Sequence, residues 1–412
     1  MTRIFSILIL LILTPGTCLA YTSNNLHKQL DLYGRADDRE IGFMNQFRES
    51  WAEVQNATGP LVIDGDVLGY WQGYADSKIA GDKKEGRDYG GFKARLRLNW
   101  KPVENGQLFI QLQGGQADTG SNPSSRGMVA TPLNSLASRT TAGGQASISD
   151  VLYTHHFAKD KFFVTLGWSE PESFLDANRF AGNGRTQFTN TIFNNEPIFD
   201  LVDENHPIIA VGYSPVEKFK FTFLAQSISR SALPRDQQKQ GFDNLLDDPF
   251  LGGQLTYSPS FGNLPGNYRL FGWTNTYKQT RLDGNGDSAN WGFAFNMDQN
   301  LTKDFGIFAR VGKGNSAVNN ITWSWSLGTN WQACIPGRDE DVWGVAAGGV
   351  QGNKHTANSD MEFHYETFYQ IKISNNFSIV PDLTYVSNSL ATNGNDDIVF
   401  GMLKFFFSFS TP

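Results

Sequence analysis

Cysteine is almost absent from this chain: there are two, Cys18 and Cys334, and only the second lies beyond the N-terminal apolar stretch. No intrachain disulfide framework is therefore available to the body of the protein. Long apolar runs are missing as well. The one exception, Ile4–Leu13, is too short to cross a bilayer as a helix. Histidine is scarce at six residues, and the adjacent His155 and His156 would face opposite sides of a strand, where they cannot share a metal. Positive charge is not in excess. With 34 Lys and Arg against 41 Asp and Glu, the formal net charge is -7, which argues against nucleic acid as a partner. No Gly-x-Ser-x-Gly elbow, His-Glu-x-x-His pair or phosphate loop occurs. Asp283-Gly284-Asn285-Gly286-Asp287 opens like a calcium loop, but Ser288 and Ala294 stand where the glycine and the acid are needed, so it reads as a hairpin loop. These absences leave a chain with no evident cofactor, metal or catalytic group.

What is present begins with a secretory pattern. Arg3 precedes the apolar Ile4–Leu13 run, Pro15-Gly16 breaks it, and Cys18-Leu19-Ala20 ends in a small residue, so residues 1–20 read as a cleaved signal peptide. Residues 21–60 form a second segment. Ile41, Met44, Phe47, Trp51 and Val54 recur at helical spacing, which predicts one amphipathic helix near 37–56, capped by Asp37 or Asp38 and stopped by Gly59-Pro60. From there to residue 412 the period changes to two.

The stretch Phe92–Trp100 states the pattern most clearly. Phe92, Ala94, Leu96, Leu98 and Trp100 share one face; Lys93, Arg95, Arg97 and Asn99 share the other. Three successive cationic positions cannot face a dry core, so one face of this strand wants hydrocarbon and the other water. Phe219, Phe221 and Phe223 alternate with Lys218, Lys220 and Thr222. The same holds for Trp291, Phe293 and Phe295 against Gly292, Ala294 and Asn296, and for Trp323, Trp325 and Leu327 against Thr322, Ser324 and Ser326. Strands are predicted near 65–76, 91–101, 107–115, 147–157, 162–168, 208–214, 219–228, 251–259, 268–279, 290–300, 304–313, 321–333, 341–350, 361–373, 377–386 and 398–409. In the eighth, ninth and thirteenth the facing is ambiguous.

Sixteen is an even number, and the connections alternate in length. Those after even-numbered strands are short, with Asn105-Gly106 a good tight-turn pair, and those after odd-numbered strands are mostly long, 314–320 excepted. This is the arrangement of an outer-membrane barrel, with the short turns and the 21–60 segment in the periplasm. The expected fold is therefore all-β: a sixteen-stranded antiparallel transmembrane β-barrel with a short N-terminal helical segment. Sixteen strands leave an aqueous lumen that eight would fill. The last strand, with Leu403, Phe405, Phe407 and Phe409 on one face, suits a lipid-facing position and would be an aggregation-prone edge in water.

Three stretches then carry a family likeness. The first runs from Val164-Thr165-Leu166-Gly167-Trp168 into Phe174-Leu175-Asp176-Ala177-Asn178, Phe180-Ala181 and Gln187-Phe188. The second is Ile335-Pro336-Gly337-Arg338-Asp339-Glu340-Asp341. The third is Glu362-Phe363-His364-Tyr365-Glu366-Thr367-Phe368-Tyr369 followed by Val380-Pro381-Asp382-Leu383 and the closing strand. Over 160–409 the chain resembles the carbohydrate-selective outer-membrane porins, the OprB family; before 160 the likeness is thin. The resemblance implies passive diffusion of small sugars through a bacterial outer-membrane channel, without a cofactor. It also implies that the longest loop, 169–207, folds inward and narrows the pore.

On that basis the pathway residues expected are Lys93, Arg95 and Arg97 on the wall and Glu170, Glu172, Asp176, Arg179 and Arg185 on the loop, with Asp203 and Glu204 further along. Carboxylates and guanidinium groups match sugar hydroxyls as acceptors and donors. Phe174, Phe180 and Phe188 are expected to offer an apolar face to the pyranose ring. Expected partners are small sugars and outer-membrane lipids, with a homotrimer among the assemblies open to such a barrel. A general or anion-preferring porin is the near alternative. An outer-membrane enzyme, or an adhesin using loops 116–146 and 169–207, is a more distant one.

Overall fold

The computed structural model describes residues 60–79, 82–84, 87–117, 146–199, 205–227, 248–392 and 394–411. The expected signal peptide and, Pro60 apart, the 21–60 helical segment lie outside the described residues, as do Asp203 and Glu204.

The described strands in chain order are β1 (Leu61–Tyr74), β2 (Arg87–Val103), β3 (Gly106–Ala117), β4 (Ser147–Phe157), β5 (Phe162–Ser169), β6 (His206–Val216), β7 (Phe219–Gln226) and β8 (Phe250–Tyr257). They continue with β9 (Leu264–Thr280), β10 (Asp287–Asn300), β11 (Phe305–Gly314), β12 (Ile321–Gln332), β13 (Val342–Gly352), β14 (Met361–Ser374), β15 (Phe377–Ser387) and β16 (Ile398–Ser410). Each pairs antiparallel with its neighbours, and β1 pairs with β16 from Asp64↔Ser410 to Tyr74↔Phe400, so the sheet closes on itself. Two minor ladders add to this: the two-residue strand Ser260–Phe261 against β9, and the hairpin of Ser77–Ile79 with Asp82–Lys84 above β1. Closure satisfies the backbone of every spanning segment from within the sheet, which hydrocarbon demands, and leaves no open edge. The sixteen spans match those expected from alternation, with every end within four residues.

The two faces separate as the sequence requires. On β10, Trp291, Phe293 and Phe295 are exposed on the outside while Asn296 and Asp298 are fully buried inside. On β2, Phe92 lies outside and Lys93, Arg97 and Asn99 are buried inside. An apolar band faces outward and a polar surface faces the lumen, the reverse of a soluble barrel. The three strands of ambiguous facing resolve for one reason. Phe250 of β8, Phe271 and Trp273 of β9, and Ala346 and Val350 of β13 all point inward and are buried. Their inner faces are apolar because something apolar packs on them.

That something is the segment between β5 and β6. It includes two short helical turns, Pro171–Ser173 and Thr191–Asn194. Phe174, Leu175, Ile198 and Phe199 form one core with Phe250, Phe271, Trp273, Leu224 and Ile208. Phe180, Phe188, Ile192 and Phe193 form another with Phe308, Ala346, Val350, Phe368 and Val380. The longest described connection thus lies inside the barrel, and its two cores take in wall residues from Phe109 of β3 and Leu152 of β4 round to Val380 of β15. Glycines on the wall make the contact close. A Cβ on Gly306 would fall 2.0 Å from the Phe180 ring, and one on Gly312 would fall 2.6 Å from the Glu196 carboxyl.

Candidate functional site

The inward loop has three polar anchors on the wall, two of which take up backbone groups that a loop would otherwise leave unpaired in a dry interior. The first is Arg310 of β11, whose side chain is fully buried. Its Nε donates to Asp176 Oδ1 at 3.1 Å, and its terminal nitrogens donate to the carbonyl oxygens of Ala181 (2.8 Å), Asn194 (3.1 Å), Asp176 (3.3 Å) and Phe193. The loop is wound around one guanidinium, which has five N–H donors in a planar fork and suits this task. Asp176 is held from the other side too. Asn296 Nδ2 and the Glu196 backbone N–H both donate to its carboxylate, the latter at 2.7 Å.

The second anchor is Lys404 of β16. Its Nζ donates to the carbonyl of Gln187 (2.6 Å), to Thr189 Oγ1 (2.7 Å) and to Asp382 Oδ2 (3.1 Å). Beside it, Glu366 of β14 accepts the Asn190 backbone N–H at 3.0 Å and that of Thr189. Asn190 Nδ2 donates to His364 Nδ1 at 2.8 Å. An amide nitrogen can only donate, so His364 Nδ1 accepts and its Nε2 carries the proton toward Glu362, 2.8 Å away. Asn190 also caps the short helix through Ile192 N–H.

The third is a charge cluster on β1 and β2. Asp66 receives Arg95 (2.9 Å), Arg97 (2.9 Å) and, from the loop, Arg185 (2.6 Å); Arg97 also pairs with Asp64. Three guanidiniums around two carboxylates hold the loop tip to the wall at the strand where the chain begins its barrel. Burial and the neighbouring Arg95 and Arg97 draw the Arg185 guanidinium down to about 9, with Asp66 opposing the fall.

Between loop and wall lies a polar cavity of about 160 Å³. Lys93, Arg95, Gln111, Gln113, Ser149 and Asp150 line its wall side; Glu170, Glu172, Asp176, Asn194 and Asn195 line its loop side. The carboxylates are oriented by amides and hydroxyls. Asn195 Nδ2 donates to Glu172 Oε1 at 2.7 Å, and Asp150 accepts Gln111 (2.9 Å), Ser149 (2.8 Å) and Ser169 (2.6 Å).

Of the pathway residues expected from sequence, the structure brings Lys93, Arg95, Glu170, Glu172 and Asp176 together at this cavity. Arg97 and Arg185 instead meet in the Asp66 cluster, and Arg179 turns toward Asn300 at 2.6 Å, at the short-turn end of β10. The apolar sugar face expected of Phe174, Phe180 and Phe188 is absent: all three are buried in the loop–wall cores. Sequence reasoning did not single out Arg310, Lys404, Glu366, Asp66 or Asp150. Each is one charged residue at an inward position, which alternation reads only as lumen wetting.

A family model described as carbohydrate-selective porin, OprB family, matches residues 104–409. Among solved structures, the chain is similar to the high-pH structure of Pseudomonas putida OprB, with a TM-score of 0.72 and 15% identity over 88% of this chain and 97% of that one. It is similar as well to the outer membrane channel DcaP of Acinetobacter baumannii (TM-score 0.52, 12% identity, 85% of this chain and 97% of that one). The anion-selective porin from Comamonas acidovorans gives the same score and identity over 85% of this chain and 99% of its own. No curated protein sequence matches the chain.

Proposed function

The chain belongs to the carbohydrate-selective porin family, OprB, and from that premise we propose how this outer-membrane sugar porin admits its solute. The path runs between the β2–β4 wall and the inward loop, through the polar cavity. Lys93 and Arg95 donate to sugar oxygens from one side, and Glu170 and Glu172 accept from sugar hydroxyls on the other. The observation that carries this reading is the opposition of these four side chains across a single polar cavity.

Asp176 lines the same cavity, but both its carboxylate oxygens are engaged by Arg310, Asn296 and Glu196, so it positions the loop rather than meeting solute. The carboxylates Glu172 and Asp150 keep fixed orientations through Asn195 and Gln111, so a sugar meets preset acceptors and gives up little ordering entropy in the protein. None of the contacts needs to be tight. A conducting site must release what it holds.

Outer-membrane lipids contact the outward apolar band. A homotrimer would bury part of that band, and the native mass in detergent distinguishes trimer from monomer. The functional test is solute flux through the purified protein in liposomes, with glucose, larger oligosaccharides, an amino acid and a small anion. Glucose influx faster than size alone allows supports the reading. Influx ordered only by size overturns it in favour of a general porin, and anion preference would make Lys93 and Arg95 a charge filter.

A further inference from the structure

Inside the loop, Glu196 lies beside Asp176, whose carboxylate is paired with Arg310. Asp176 Oδ2 accepts the Glu196 backbone N–H at 2.7 Å, and Arg310 Nε pairs with Asp176 Oδ1 at 3.1 Å. Glu196 is 1% exposed. Its Oε1 accepts the Ser324 hydroxyl of β12, and its Oε2 is buried with the Ile198 backbone N–H as its nearest donor. The wall glycine Gly312 of β11 leaves just enough room for the carboxyl group. The charged groups on it are Asp176 from the loop and Arg310 from β11; β12 offers the neutral Ser324 hydroxyl.

Two carboxylates and one guanidinium in a buried cluster carry a net negative charge unless a proton is present. Burying an uncompensated charge is expensive, so the compact cluster favours a proton on one acid. Glu196 is the one to hold it, because Arg310, Asn296 and the Glu196 backbone N–H all donate to the Asp176 carboxylate, whereas the Glu196 carboxyl has no cation paired to it.

We infer that Glu196 is a proton-controlled latch: protonated, it lets the loop stay seated on β11 and β12; ionised, it repels Asp176 and loosens the constriction. The inference rests on the loop being the constriction of the sugar path and adds its regulation by pH. Burial and the Asp176 charge raise the Glu196 carboxyl to about 8, with Ser324 and Arg310 opposing. The sign follows. A carboxyl whose seated-loop pKa is raised holds a proton that the free carboxyl lacks, so the seated state loses stability as pH climbs from the ordinary carboxyl value toward 8. The loop is tightest in mild acid and loosest in alkali.

The test is single-channel conductance of the full-length protein in planar bilayers from about pH 4.5 to about pH 9.5. It compares the wild type, Glu196→Gln and Arg310→Met. Wild-type conductance is expected to rise about twofold as pH climbs from the ordinary carboxyl range toward 8, and to level off above it. Glu196→Gln should hold its low-pH level throughout, and Arg310→Met should be high at every pH. A flat wild type, or a Glu196→Gln protein that keeps the rise, overturns the latch and leaves the constriction reading standing. Arg310→Met with wild-type conductance at every pH overturns the constriction reading itself. Should Glu196→Gln fail to fold, Ser324→Ala removes the donor to Glu196 and should move upward the pH at which the rise levels off; an unmoved plateau counts against the latch.

Discussion

Asp176 and Arg310, 134 positions apart in sequence, form the buried ion pair on which the inward loop turns, with Arg310 Nε 3.1 Å from Asp176 Oδ1. Asp176 has a positive φ of 60°, a conformation that non-glycine residues adopt at a cost. The pair and the four carbonyls around Arg310 hold the backbone in that conformation. One side chain from β11 therefore fixes both ends of the segment 176–194 that flanks the cavity.

Removing the guanidinium should release the loop. Arg310→Met leaves Asp176 buried without its cation, which costs roughly 3–5 kcal/mol. The folded band of the unheated protein should convert at a lower temperature, and single-channel conductance should rise. A variant with wild-type values in both measurements would show that the loop is held elsewhere.

Crowding the loop from the wall should act like cutting its anchor. A Cβ on Gly306 would lie 2.0 Å from the Phe180 ring, so Gly306→Leu forces the loop off β11. Overpacking of this kind costs about 1–3 kcal/mol. Conductance should increase while glucose discrimination over larger oligosaccharides falls; the liposome flux series reads both.

Neighbouring arginines on β2 should differ. Arg95 lines the cavity and pairs with Asp66 alone, whereas Arg97 is buried between Asp64 and Asp66. Arg95→Ala is expected to slow glucose influx and to cost less stability than Arg97→Ala, because Asp66 keeps Arg97 and Arg185. Arg97→Ala should destabilise by about 3–5 kcal/mol, since it strips a cation from two buried carboxylates. Comparing flux and the conversion temperature for the two single variants separates these effects, and equal behaviour in both assays would contradict them.

On the loop side, Glu172→Gln keeps an oxygen for Asn195 and removes the charge. A lost charged acceptor is worth about 1.5–3 kcal/mol at most and less in a wetted pore, so glucose flux should fall about threefold. The folded band should be unchanged. Flux equal to wild type would remove Glu172 from the sugar path.

The barrel was legible because every spanning strand meets two solvents, and Phe92 through Trp100 record both in alternate letters. It became ambiguous only where a third environment intrudes. Phe250, Phe271, Trp273 and Val350 face inward yet are apolar, because the loop packs on them. Period-two reasoning assumes that inside means wet, so it failed on β8, β9 and β13. Family likeness and charge opposite the β2 stripe single out the loop acids Glu170 and Glu172, and both line the cavity. Neither signal singles out Arg310 or Lys404, since a lone cation on an inner face looks the same whether it wets a pore or grips a backbone. Phe174, Phe180 and Phe188 misled for a related reason: an aromatic in a polar loop reads as a ligand platform when it is a packing residue.

The contacts of Gly184–Thr189 have a mechanical consequence. Arg185 reaches Asp66 on β1, while Lys404 on β16 holds Gly184, Gln187 and Thr189. Those two strands are where the two ends of the barrel meet. The loop is thus a staple driven across the closing seam from inside. Prising β1 from β16 would require breaking charged contacts shielded from water as well as the ladder between the strands. Closure and the narrowing of the pore are in this way completed by the same six residues.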